Sequence, residues 1–277
     1  MDAAAPPTLT PEQIRHFHEE GYLAVPQVTT AADVAFIREI YDRLFRERVG
    51  WQEGNSFDLA GTDAEGRELA LPQLLGPAQY APELKQCLLL ANVHAMVKQL
   101  LGEAATCGIA HAIFKPAHHG AATPWHQDAA YWSPRHYHKM ISVWVPLQEV
   151  TEANGCMQFV PRSHERDVLT HRSINNDPRI HGLELVPEEL YQVKNPVVCP
   201  LPAGGATFHG GYMLHHTGPN HTDIPRRALI LMGGVPGSER PLPRSYWWMD
   251  AKQTARVQRA AATKAAREAA AAAPAKS

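Results

Sequence analysis

Two histidines, an aspartate and an arginine give this chain its first chemical signal. His126-Gln127-Asp128 sets two metal-capable side chains at positions i and i+2. In extended backbone such residues project to one face, so His126 and Asp128 can reach one metal while Gln127 points away. His215 follows 87 residues after Asp128, within Leu214-His215-His216-Thr217-Gly218-Pro219-Asn220. Two histidines and one carboxylate on one side of a metal leave adjacent positions open, the arrangement diagnostic of non-haem Fe(II) oxygenases. Just beyond lie Arg226 and Arg227, leading into the apolar run Ala228-Leu229-Ile230-Leu231. An arginine there has a defined task. 2-Oxoglutarate chelates iron through its 2-oxo group and adjacent carboxylate, which buries the far carboxylate. A guanidinium fork matches that carboxylate bidentately. Fe(II), one aspartate, a dianionic co-substrate and one arginine sum to zero charge, as a buried site requires.

Other readings are weighed against this one. A second HxD, His221-Thr222-Asp223, sits in the polar stretch from Gly218 to Pro225 with no histidine after it, and reads as a solvated turn. Thirteen of the 16 histidines fall between His111 and His221; most read as loop residues, but their clustering marks where a metal belongs. The same three ligands would suit a zinc-type hydrolase with a bound water, which needs a general base and has no use for Arg226. A non-catalytic small-molecule-binding jelly roll with a vestigial site is the third possibility. Succinate formation with Fe(II) and ascorbate separates the three. Asp128 itself argues against halogenation, which needs a small residue there to admit chloride.

The elements that must position these residues are legible in outline. Thr10 with Gln13 forms a capping box, Pro11 suits the first helical position and Gly21 the stop. Tyr22 to Pro26 is a short apolar strand. A helix from about Thr30 carries Val34, Ile37, Tyr41, Leu44 and Phe45 at helical spacing. Residues 50–80 have no clear period and read as a long loop or lid. Residues 83–101 read as one amphipathic helix containing Cys87 and closed by Gly102. From about 106 to 235 the apolar runs are short and broken by Pro, Gly and Asn, which predicts a mainly β core, a sandwich or jelly roll with flanking helices. In Met140 to Leu147, Ile141, Val143, Val145 and Leu147 share one face, and Ser142 and Trp144 the other. The polar segment 163–195 interrupts the strands and reads as a functional insertion or lid. We expect one domain over 1–250 and an Ala-rich tail over 251–277, a frayed helix or disordered segment without catalytic duty.

The chain resembles the phytanoyl-CoA dioxygenase family from about Leu9 to Met232. LTPEQIRHFHEEGYLAVP is similar to that family's opening helix and strand, and TPWHQD to its metal motif. ISVWVPL, EANGCMQFVPRSH, LPAGGATFHGGYMLHHTGPN and PRRAL follow in the family's order. The resemblance implies a double-stranded β-helix with Fe(II), 2-oxoglutarate and O2 as the reacting set, and hydroxylation as the usual outcome. The family's usual string is His-Gly-Ser-Gly-Pro-Asn. Aligning Gly218-Pro219-Asn220 makes His215 the ligand and Arg226 the co-substrate arginine, in preference to the shifted pair His216 and Arg227. Thr217 then replaces a serine that touches the far carboxylate. Lys115, Gln127, Trp132 and Trp144 match positions near the co-substrate or pocket. Arg162 and Gly205 depart from the family pattern at two turns.

Substrate identity is not legible. Residues 50–80, the insertion and Tyr246, Trp247 and Trp248 are expected to wall a pocket for a small molecule, with His171, Arg172, Arg179 and His181 candidates to meet an anionic group. The formal net charge of −2 gives no field for nucleic acid. There is no apolar run of membrane-spanning length and no basic, apolar leader in MDAAAPPTLTPEQ. The four cysteines, at 87, 107, 156 and 199, form no CxxC pair. All of this fits a cytoplasmic protein. No motif specifies an oligomeric state.

Overall fold

The computed structural model describes residues 7–64 and 67–272. In chain order its elements are α1 (Pro11–Glu20), β1 (Tyr22–Val25), α2 (Ala31–Arg46), β2 (Ser56–Asp58), β3 (Pro72–Leu75), α3 (Pro77–Tyr80) and α4 (Leu88–Leu101). The strands β4 (Thr106–Lys115), β5 (Thr123–His126), β6 (His136–Pro146), β7 (Met157–Phe159), β8 (His171–Ser173) and β9 (Leu183–Leu185) follow. The chain continues through β10 (Val197–Cys199), β11 (Ala206–Gly210), β12 (His215–Thr217), β13 (Arg226–Glu239), α5 (Trp247–Asp250) and α6 (Ala255–Ala272).

Two antiparallel sheets form the jelly roll. The larger runs β1-β11-β6-β13-β4-β3-β2, the smaller β10-β7-β12-β5, and β8 and β9 pair separately. Alternation along the strands of the large sheet separates two cores. On its outer face Ile141, Val143, Val145, Phe208, Leu229 and Leu231 bury against Val34 and Ile37 of α2 and Val93, Met96 and Val97 of α4. On its inner face Trp144, Ala228 and Ile230 meet Met157, Phe159 and Met213 from the side of the small sheet. Polar residues on that same inner face, Ser142, His209 and Arg226, are buried as well. A strand buried on both faces with polar groups on one of them marks the place where those groups have work to do.

Local signals mark the first helices correctly. Thr10 and Gln13 close the capping box of α1, and Gly21 ends it at φ 85°. Thr30 caps α2. The single helix expected over 83–101 is instead a 3-10 turn, Pro82–Gln86, followed by α4, with Cys87 extended between them. The reason is not local. The Asp33 carboxylate of α2 accepts from the Leu88 and Leu89 backbone N–H groups at 3.0 and 2.8 Å, so the cap comes from another helix.

Residues 50–80 are not a plain loop. They hold β2 and β3, which extend the large sheet, with Gln73 of β3 opposite Ile113 of β4. Strands of three and four residues, one opened by Pro72, are too short to show a period. The Ala-rich segment forms α6 as its propensity suggests, and it is docked rather than free. Arg259 donates to the Trp51 and Ser56 carbonyls at 2.9 and 3.1 Å and to Asp63 at 2.9 Å. Arg256 donates to the Gly54 carbonyl at 2.8 Å. Polar anchors hold this helix where large apolar residues are lacking. Residues 273–277 of the tail, and 1–6 of the N-terminal reading, lie outside the described residues.

Candidate metal centre

His126 ends β5 and pairs in register with His215 of β12, which brings their rings to 4.1 Å between centroids. Asp128 begins a 3-10 turn, Asp128–Tyr131, immediately after β5. Its Oδ1 lies 3.7 Å from His126 Nε2 and 3.5 Å from His215 Nε2. Among the described residues these three form the one group of acidic, histidine or cysteine side chains placed to share a metal ion.

The histidine tautomers are set by the backbone. His126 Nδ1 lies 2.7 Å from the Pro124 carbonyl and His215 Nδ1 2.9 Å from the Met213 carbonyl. A carbonyl only accepts, so each Nδ1 carries the hydrogen and each Nε2 lone pair faces the cluster. Burial, then neighbouring His215, pushes the His126 pKa well below its usual value, so the ring is neutral. Burial alone would raise the Asp128 pKa, but His215 and His209 hold it well below the carboxylate range. Neutral imidazole and ionised carboxylate are the forms a metal binds.

The same cavity contains Arg226, which is 1% exposed. Its Nε and Nη1 have no protein partner, and its guanidinium carbon lies 5.4 Å from the centroid of the Trp144 ring. Burial lowers its pKa to about 10, which leaves it charged at neutral pH. Two unpartnered N–H donors on a buried cation fit a carboxylate ligand, since an unpaired buried charge is otherwise strongly unfavourable. Thr217 and Trp132 also line the cavity.

Arg227 faces away and binds Asp42 at 2.5 Å. His216 lies across the strand from its neighbour, stacked on Trp125 at 5.1 Å, with part of its ring at the cavity edge. Alternation thus separates both doublets as the register His215 and Arg226 requires.

Lys115 and Gln127 sit next to the site without lining the cavity. Fully buried Lys115 pairs across the sheet with Arg226. Its Nζ bonds Thr217 Oγ1 at 2.8 Å, the Thr217 carbonyl at 3.2 Å and the Gly218 carbonyl. It therefore fixes Thr217 instead of lining the cavity. Burial, then the adjacent Arg226, drives its amine well below the usual pKa. Gln127 turns outward. Its Nε2 donates to the Tyr212 carbonyl at 2.7 Å and its Oε1 accepts from Leu169 N at 2.8 Å.

The insertion 163–195 packs into the protein. His171 on β8 is fully buried and its Nε2 accepts from Gln127 N at 3.1 Å, between the two metal-ligand positions. Arg172 pairs with Glu184 and exposed Arg179 with Asp177, and neither lines the cavity. From this segment only His181 reaches the cavity. Tyr246 and Trp248 do not line it: they pack behind it, with Trp248 Nε1 donating to the Ala130 carbonyl at 3.0 Å. The 50–80 region does supply a wall, through Leu59, Gln73 and Leu75. His221 and Asp223 lie in a surface turn, where exposed Asp223 meets His118 at 3.1 Å.

Sequence reasoning missed Ser142, His209, His111 and Tyr131, all of which line the cavity. Ser142 shares the Trp144 face of β6, and that alternation was the available signal.

His171 offers a pH test. Its Nδ1 donates to the Leu169 carbonyl and its Nε2 accepts, so the folded protein needs the neutral ring. Burial lowers its pKa to about 4. Between the unfolded value, about 6.5, and 4 the unfolded chain binds a proton that the native state refuses, so stability falls as pH falls through that window. From pH 7 to 5 this one histidine should remove about 2 kcal/mol. In urea melts of the metal-free protein, His171→Gln should lose less stability over that interval by about this amount. Equal losses would contradict the assignment.

A jelly roll with two histidines and a carboxylate at an inner rim, beside a buried unpaired arginine, defines the non-haem iron, 2-oxoglutarate-dependent oxygenases. The chain belongs to the phytanoyl-CoA dioxygenase family, whose model matches residues 17–228. It is 27% identical over 222 residues to a protein of Stutzerimonas stutzeri named a probable alpha-ketoglutarate-dependent hypophosphite dioxygenase, covering 79% of this chain and 77% of that one. It is 27% identical over 257 residues to the L-proline trans-4-hydroxylase of Streptomyces griseoviridis, covering 84% and 87%. The crystal structure of EvdO2 from Micromonospora carbonacea var. aurantiaca complexed with 2-oxoglutarate superposes with a TM-score of 0.74 at 33% identity, covering 89% of this chain and 99% of that one. The protein is an Fe(II)- and 2-oxoglutarate-dependent dioxygenase that acts on a small molecule.

Proposed function

We propose that His126, Asp128 and His215 hold the iron, that Arg226 and Thr217 hold the far carboxylate of 2-oxoglutarate, and that the enzyme hydroxylates an unactivated C–H bond of an uncharged small molecule. The observation that carries the reading is Arg226, a fully buried cation with unpartnered N–H groups that lines the same cavity as the triad. When bound, iron and 2-oxoglutarate supply the O2-dependent oxidation, with release of succinate and CO2. The chain supplies the rest. Lys115 locks Thr217 in place, Trp144 covers the guanidinium, and the apolar wall of Leu59, Leu75, Ile113 and Met232 excludes water.

Charge argues for the substrate class. Among the described residues lining the cavity, Arg226 and Asp128 are the only formally charged ones, and both are committed to the co-substrate and metal. The remaining polar groups include Gln73, His111 and His181. Burial lowers the pKa of both histidines, to about 2 for His181 with Lys252 and Arg256 beside it. Hypophosphite, or the carboxylate of proline, would find no second cation there. The test is succinate release from a metabolite library with anionic and uncharged members. Uncharged hits are expected; turnover only of compounds with an anionic group at the reacting end would contradict the reading. Four free thiols, three of them buried, support the cytoplasm as its location.

A further inference from the structure

Asp128 is gripped from the opposite side of the cavity. Its Oδ1 faces His126 and His215, and its Oδ2 accepts from Ser142 Oγ at 2.5 Å and lies 3.4 Å from His209 Nε2. Ser142 on β6 and His209 on β11 are direct cross-strand partners in the large sheet, whereas Asp128 follows a strand of the small sheet. His209 is 2% exposed, wedged between Phe159 at 5.2 Å and His215 at 4.3 Å. Neither of its ring nitrogens has a hydrogen-bonded protein partner, and Asp128 Oδ2 is its nearest ionic neighbour. A histidine kept only to fill space would leave two buried polar atoms unused, where a phenylalanine or leucine would fill the volume without that loss.

We infer that Ser142 and His209 are positioning residues that hold Asp128 to one-oxygen coordination of the iron. An unrestrained carboxylate rotates and can offer both oxygens. In a six-position shell three belong to the protein and two to 2-oxoglutarate, so a second carboxylate oxygen would occupy the one left for O2. The Ser142 hydroxyl bond to Oδ2, with the otherwise unpartnered His209 Nε2 3.4 Å from the same oxygen and placed to donate to it, leaves Oδ1 to face the metal. The inference rests on the ligand assignment proposed above.

The test uses the metal alone. The full-length metal-free protein is titrated with Co(II), without 2-oxoglutarate, against a competing chelator, and its melting temperature is recorded separately. Loss of such supporting contacts lowers metal affinity about 10–100-fold. Ser142→Ala and His209→Met should each weaken Co(II) binding about tenfold or more. His209→Gln, whose amide can donate from nearly the same place as Nε2, should recover most of the affinity. A space-filling histidine predicts another pattern: a lower melting temperature for His209→Met with Co(II) affinity unchanged. That result, unchanged affinity in Ser142→Ala, or a His209→Gln as weak as His209→Met would each overturn the inference. Ser142→Ala decides the matter if His209→Met does not fold. Failure of the wild type to bind Co(II) would overturn the ligand assignment instead, and this inference with it.

Discussion

Arg226→Lys should raise the KM for 2-oxoglutarate thirty-fold or more, while Arg227→Lys leaves it nearly unchanged. Arg226 is buried, lies beside Trp144, lines the cavity and leaves its Nε and Nη1 without a protein partner. A lysine there is shorter, presents a point charge and cannot make two parallel hydrogen bonds to one carboxylate. Losing a charged hydrogen bond in a buried site and leaving its partner unpaired amounts to about 2–4 kcal/mol, which is the thirty-fold or larger factor. Arg227 points to the other side, where it binds half-exposed Asp42, and such pairs are worth about 1 kcal/mol or less. Steady-state KM values for the two variants decide between them; a large increase for Arg227→Lys alone would reverse the register.

Asp128→Ala and His215→Ala should abolish Fe(II)-dependent succinate formation and drop bound iron far below one equivalent. Each removes one of three donor atoms clustered on one spot, and a facial triad has no spare ligand. His216→Ala should keep about one equivalent of iron, because His216 stacks on Trp125 and offers the cluster no donor. Its turnover should fall only modestly, through a loosened cavity edge. Metal analysis alongside turnover makes the comparison sharp. An iron-replete Asp128→Ala variant would sink the ligand set, and an iron-free His216→Ala would move it by one residue.

The parts of this site that could be read from the sequence are those fixed by local geometry. HxD works because i and i+2 share a face, and His215 and Arg226 separate from their neighbours for the same reason. The two faces of β6 follow from its alternation and hold in the structure. What escaped depends on long-range partners. The cap of α4 is Asp33, 55 residues away from Leu88. Lys115 is matched to the neighbourhood of the co-substrate, but its three acceptors on Thr217 and Gly218 lie 102 and 103 residues further along the chain. Gln127 points away from the cluster, as the HxD spacing implies, but the Tyr212 and Leu169 backbone groups that it binds are not written in that spacing. The packing of the insertion was not legible because its short strands and 3-10 turns carry no period, although His171, Leu183 and Leu185 are buried in it. α6 looked frayed because arginine bonds to backbone carbonyls and to Asp63 leave no hydrophobic trace.

The unpaired state of Arg226 has a consequence for the life of the protein. A buried cation facing no acid weakens the fold that contains it, and a dicarboxylate that binds only the folded form repays that energy by mass action. At a hundred times its dissociation constant such a ligand adds about 2.7 kcal/mol, a large fraction of a typical domain's stability of about 5–15 kcal/mol. The population resistant to proteolysis then rises and falls with the supply of 2-oxoglutarate. With Arg226 as the proposed anchor of the co-substrate, the abundance of this enzyme should follow the supply of 2-oxoglutarate through folding itself.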